Sequence, residues 1–214
     1  CALKSRVLRA LKEKQPGEAD SPEVLAIKAT IRWSEAKAGA VVCGCREENL
    51  HFLDLPFYRT GTVAKKPVDE EDVAIVRELI ESVEPSDIYL AGDLSDPHGT
   101  HRVCAEAIFR ALSTMETDGR RPPEVFLYRG AWQEWSPHEI DMAVPLSPKD
   151  MELKRAAIFR HESQKDKAMF AGNDAREFWQ RAEDRNRGTA AIYNQFGLPE
   201  YFAIESFVRW KESQ

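Results

Sequence analysis

The chain has 214 residues, with 30 Lys+Arg against 36 Asp+Glu and a formal charge of −6. That length suits one α/β domain with a substantial core, and a mild acidity without long blocks of like charge argues against a protein built around nucleic acid or an anionic membrane surface. A hydrophobic fraction of 43% excludes wholesale disorder, and no apolar run approaches the roughly 20 residues that cross a bilayer.

In chain order, Leu3, Val7, Leu8 and Leu11 stand at helical spacing, and Pro16-Gly17 ends that pattern. Ser21-Pro22 is an N-cap followed by Pro at the first helical position, opening a long helix through Ile27, Ile31 and Ala38, with Gly44 as its stop. Leu50 to Leu55 (LHFLDL) predicts a short strand, closed by Pro56. Asp69 caps the next helix, whose stripe is Val73, Val76, Ile80 and Val83.

Asp87 to Gly92 predicts a buried strand, a polar loop runs from Asp93 to Gly99, and a helix follows with Val103, Ala107, Ile108, Ala111 and Leu112 on its apolar side. Glu124 to Tyr128 predicts another strand. This alternation is the signature of parallel βαβ units. Glu139 to Pro145 predicts a further strand, Ser147-Pro148 a helix running towards His161, Asp174 to Gln195 one or two helices, and Tyr201 to Trp210 a final strand. No repeat, low-complexity tract or linker intervenes, so residues 1–214 form one domain with a C-terminal elaboration. The four cysteines (Cys1, Cys43, Cys45, Cys104) are too few and irregular for a disulfide scaffold, which points to a reducing, cytoplasmic setting.

Chemistry concentrates in Asp93-Leu94-Ser95-Asp96-Pro97-His98-Gly99-Thr100-His101. This stretch lies beyond the carboxyl end of a predicted parallel strand and leads into a helix, where ligands bind in open α/β sheets. Two His and two Asp offer a metal ligand, a general acid and supporting carboxylates. The plainer reading is a polar loop with surface histidines, Asp93 and Asp96 serving as turn and capping residues.

Trp132, Gln133 and Trp135 form either a sugar-stacking wall or a loop anchor. Arg129 is either an anion-binding residue or a surface cation, and His161 either lines a pocket or ends a helix. Arg176, Arg181, Arg185 and Arg187, interleaved with acids, predict a solvated helix face with i,i+4 pairs.

Several long blocks resemble the LmbE-like (PIG-L-type) family of zinc-dependent de-N-acetylases. They are HFLDLPFYRTG (51–61), IYLAGDLSDPHGTHRVCAEAI (88–108), LYRGAWQEW (127–135), MAVPLSP (142–148), AIFRHESQKD (157–166) and REFWQRAEDRN (176–186). The chain is most similar to the version of this domain fused to glucosamine-6-phosphate deaminase-like proteins.

The resemblance implies a Rossmann-like α/β fold, a parallel sheet flanked by helices, and a hydrolase that removes an N-acetyl group from an amino sugar. It implies a Zn²⁺ bound by His101, with His98 supporting the transition state and His161 lining the pocket; Asp96, Arg129 and Trp132 are further candidates to support the metal site or contact the substrate. Thr100 stands where the family often has Asp. The family's His-Pro-Asp-Asp motif, which supplies further ligands and the base, is not found. His51 and Asp54 do not replace it, because residues three apart on a strand face opposite ways.

The domain is therefore expected to lack its first strand and any upstream deaminase-like domain, consistent with an abrupt start at Cys1, and to be inactive as it stands. The alternative is a non-catalytic sugar-binding or regulatory module attached to such an enzyme. The partners expected are a small-molecule amino sugar and, in a homo-oligomer, further copies of the chain.

Overall fold

The computed structural model describes residues 2–16, 18–58, 66–92, 99–130, 133–165, 176–197 and 199–211. Its elements in order are α1 (Ala2–Glu13), α2 (Pro22–Val42), α3 (Glu70–Val83), β1 (Asp87–Ala91), α4 (Thr100–Thr117), β2 (Glu124–Tyr128), β3 (Met142–Leu146), α5 (Pro148–Phe159), α6 (Phe178–Gln195) and β4 (Ala203–Arg209).

Local chemistry sets most helix ends. Ser21 accepts a hydrogen bond from Val24 N, with Pro22 opening α2. At its far end Gly44, at φ 87°, donates to Val41 O, and Cys45 N donates to Ala40 O, which satisfies two terminal carbonyls. Asp69 and Asp72 form a reciprocal capping box on α3, as Ser147 and Asp150 do on α5. Asp72 is fully buried because its other oxygen accepts from Phe57 N at 3.1 Å, tying the short 3-10 turn at Pro56–Tyr58 to α3.

The four strands form one sheet in the order β1-β2-β4-β3. β1 and β2 are parallel, with Asp87 opposite Glu124 and Ala91 opposite Tyr128, and α4 makes the crossover. β4 runs antiparallel to both β2 and β3. On one face Leu90, Val125 and Leu127 join Val73, Val76 and Ile80 of α3 and Ala107, Ala111 and Leu112 of α4 in the main core. On the other face Tyr89 stacks on Phe126 and meets Phe207 edge-on. Lys154 of α5 and Arg185 of α6 reach Glu205 of β4 on this second side. The result is helices on both faces of an α/β sheet.

Two expectations are corrected. Residues 50–55 do not form a strand. Leu53 and Leu55 still pack on the core, but Asp54 takes φ 49° and Pro56 follows, which breaks the extended backbone a ladder needs. The parallel part of the sheet is accordingly the β1–β2 pair.

Arg176, just before α6, and the arginines of α6 do not form a uniformly solvated face. Arg176 and Arg187 are exposed and pair with Asp184 and Glu183, whereas Arg181 is buried and the Arg185 side chain is only 8% exposed. Helical spacing places 181 and 185 on the side that packs against β4. Among the described residues, no helix is long and apolar enough to cross a membrane.

Candidate functional site at the carboxyl edge of the parallel strands

β1 ends where the chain must turn off the sheet. Gly92 N still donates to Tyr128 O at 2.8 Å, continuing the parallel ladder by one step. A Cβ at Gly92 would lie 2.6 Å from Leu127 Cβ and 3.1 Å from Trp135 Cζ2. Only glycine fits under that ring. The chain then enters residues 93–98, so Asp93, Asp96 and His98 lie outside the described residues. It re-emerges at Gly99, whose φ of 68° is left-handed, and Thr100 begins α4. His101 stands exposed in the first turn of that helix.

The segment after β2 forms the adjoining wall. The Trp135 indole N–H donates to Leu127 O at 3.1 Å, and the Arg129 guanidinium lies 4.0 Å from the Trp135 ring centroid. Arg129 Nη1 also donates to Gln133 Oε1 at 2.7 Å. Trp135 is therefore an anchor that joins β1, β2 and Arg129, packed against the main core. Trp132 lies outside the described residues.

His161 is placed elsewhere. Its N–H donates to Ile158 O just beyond α5, and its carbonyl accepts from Gln164 N and Lys165 N. Its ring abuts α2, where a Cβ at Gly39 would come 3.0 Å from His161 Nε2. Nearby, Glu35 of α2 accepts from Ser163 N at 2.6 Å and Ser163 Oγ at 2.7 Å. Burial opposes ionisation of Glu35, but these hydrogen bonds and one from Gln164 hold its carboxyl below the ordinary range.

A buried charge network behind the wall escaped sequence reasoning. Arg185 donates to Glu134 Oε2 at 3.0 Å and to Glu205 Oε1. Lys154 Nζ donates to Glu205 Oε2 at 2.6 Å and to Asn186 Oδ1 at 2.7 Å. Thr189 Oγ donates to Glu134 Oε2 at 3.1 Å. Two cations thus face two carboxylates, and the fully buried Asn186 completes the set by donating to Ile204 O at 2.8 Å. Burial pushes the Glu205 carboxyl up, but the charges of Arg185 and Lys154 outweigh it and hold it below the usual range. Burial, with the negative Glu205 beside it, raises the Tyr128 phenol. The only sequence signal was Arg185 itself, at i+4 from Arg181, and spacing alone does not reveal its partners.

The described residues contain no group of three or more His, Cys, Asp or Glu side chains placed to hold a metal ion. A protein zinc site needs three or four such ligands. His101 and its described surroundings therefore do not fit a Zn²⁺ by themselves.

No protein-family model matches the chain. It is 47% identical over 209 residues to a glucosamine-6-phosphate deaminase-like protein of Bacteroides thetaiotaomicron, whose own description is provisional; the match takes in 96% of this chain and 32% of that protein. The chain thus spans about a third of its relative's length.

Among solved structures, the zinc-inhibited form of teicoplanin deacetylase Orf2 superposes with a TM-score of 0.53 at 14% identity, covering 87% of this chain and 76% of the other. GalB, the 4-carboxy-2-hydroxymuconate hydratase of Pseudomonas putida KT2440, gives 0.60 at 13% identity, covering 100% and 82%. The chain is LmbE-like in fold, as its sequence blocks implied. A deacetylase and a hydratase share this fold, so the fold alone does not select the reaction.

Proposed function

We propose that this domain is a hydrolase of the de-N-acetylase type acting on an N-acetylated amino sugar or its derivative. The observation that carries this reading is the turn at Gly92. It sends the chain from the end of a parallel strand, under Trp135, through the Asp96–His98 stretch to His101 at the start of α4. That is the ligand-binding position of an open α/β sheet. The blocks that resemble the LmbE-like family support the reaction class, and the fold shared with a deacetylase is compatible with it.

In the reaction, water adds to the acetamide carbonyl carbon, the C–N bond breaks, acetate leaves and the amine nitrogen gains a proton. A histidine at 98 serves as the group that supports the developing oxyanion or protonates that nitrogen. Asp96, Arg129 and Trp132 are assigned to the substrate side. His101 is the residue the family resemblance assigns to zinc. The described residues supply no set of ligands that would hold a Zn²⁺ beside His101.

Amine release from N-acetylglucosamine derivatives, measured on the full polypeptide, tests the proposal. Turnover that falls at least about 100-fold in His98→Ala and His101→Ala, with unchanged folding, is expected. Amine release equal to background in the wild-type protein would leave a sugar-binding module instead.

A further inference from the structure

Glu134 stands between the two side chains that shape the wall after β2. On one side Gln133 accepts from Arg129 Nη1 at 2.7 Å, and on the other Trp135 lies over Gly92 with Arg129 against its ring. Residues 133–136 belong to no helix or strand, so side-chain bonds rather than a backbone ladder fix their place. The two carboxylate oxygens of Glu134 serve different groups. Oε1 accepts from Trp135 N at 2.9 Å, which holds the backbone of the wall itself. Oε2 accepts from Arg185 Nη1 at 3.0 Å and from Thr189 Oγ at 3.1 Å, both on α6. One side chain thus ties the wall to a helix far along the chain.

Two features make this tie specific. Each of these partners of Glu134 is a donor, so two acceptor oxygens are needed. A glutamine there has a single acceptor oxygen and serves either the Trp135 N–H or α6, not both. Arg185 in turn spreads its guanidinium between Glu134 and Glu205, and its side chain is only 8% exposed. A lysine's single ammonium does not reproduce that planar fork. Within this network Glu134 belongs to the wall, whereas Glu205 belongs to β4 and Arg185 and Thr189 to α6.

We propose that Glu134 and Arg185 are positioning residues of the substrate site. Through them α6 sets where Arg129, Gln133 and Trp135 stand against the carboxyl edge of β1 and β2, and so how tightly the substrate is held. This inference rests on the reading of that edge as the substrate site of a hydrolase for N-acetylated amino sugars.

The test uses the full polypeptide labelled with 15N-tryptophan. Trp135→Phe identifies the Trp135 indole N–H signal, whose exchange with solvent is slowed by its bond to Leu127 O. In Glu134→Gln and Arg185→Lys that signal is expected to shift and to exchange at least about tenfold faster, while Arg187→Ala, exposed on the same helix, leaves it unchanged. Circular dichroism selects the variants that fold, and Thr189→Val, which removes one donor to Glu134 at nearly constant volume, is read alongside them. With N-acetylglucosamine derivatives, KM for amine release is expected to rise at least about tenfold in Glu134→Gln, with kcat within about threefold of wild type, because the wall binds substrate without entering the bond-breaking step. Unchanged indole exchange in the folded variants would overturn the proposal, and so would a fall in kcat at constant KM. No amine release from the wild-type protein defeats the hydrolase reading separately. The positioning claim is then decided by titrating the indole signal with N-acetylglucosamine: binding at least about tenfold weaker in Glu134→Gln supports it, and equal or absent binding overturns it.

Discussion

Trp135 closes over Gly92: a Cβ on residue 92 would sit 3.1 Å from the indole ring and 2.6 Å from Leu127 Cβ. The same ring holds Leu127 O through its N–H and lies beneath Arg129. One aromatic side chain thus fixes the point where the chain leaves β1 for the stretch that carries His98 and His101. Gly92→Ala must displace backbone or indole, and overpacking of this kind costs about 1–3 kcal/mol. Denaturant unfolding measures that loss. Deacetylation by the same variant is expected to fall by more than the stability change accounts for at a temperature where the protein remains folded.

Arg185 predicts a sharp contrast with its neighbour on α6. Arg185→Met leaves the carboxylates of Glu134 and Glu205 buried without their shared cation and should cost about 3–5 kcal/mol. Arg187, exposed and paired with Glu183 at 2.9 Å, should cost under about 1 kcal/mol when changed to Ala. Urea midpoints of the two variants decide the matter; similar losses would contradict the packing described for α6.

The same network sets a pH response. Glu205 is held below its ordinary value of 4.5 in the folded protein by Arg185 and Lys154, after burial has pushed the other way. Its contribution to stability is therefore fully present above about pH 4.5 and is lost as pH falls through the lower folded-state value, because the unfolded chain binds the proton more readily in that window. Glu35 acts in the same direction. Unfolding free energy measured from pH 6 downwards should decline in this range, and Glu205→Gln should flatten part of that decline.

Asp72 offers a test of the fold away from the site. Its carboxylate accepts from Phe57 N and Asp69 N, each at 3.1 Å. Asp72→Ala orphans the buried Phe57 N–H and removes half of the capping box, an expected loss of about 2–3 kcal/mol. Amide exchange at Phe57 should accelerate in the variant, while exchange in β2 should follow only the global change.

Wherever a few adjacent residues sufficed, the sequence was readable. Ser21-Pro22, Asp69 and Ser147-Pro148 start helices because side-chain oxygens reach backbone N–H groups three residues away. Glu124–Tyr128 is a strand in both readings. The candidate site was legible as a place, the polar stretch after β1, because strand ends in α/β sheets leave loops free to diverge.

LHFLDL misled because its composition is strand-like while Asp54 turns the backbone to positive φ, which no periodicity reveals. Trp135, undecided between substrate wall and anchor, is an anchor because Gly92, 43 positions earlier, leaves room for its ring.

By itself, then, the sequence determined where α2, α3 and α5 begin, the two parallel strands, and the family whose fold the chain shares, since all of these rest on local hydrogen bonding, side-chain period or residue-by-residue similarity. Tertiary structure alone decided that His161 belongs to the α2–α5 junction and that Arg185 is buried between Glu134 and Glu205. Both depend on groups 20 to 122 positions apart in the chain. Whether a charge is solvated or buried is set by which elements pack over it, and only the folded chain brings those elements together.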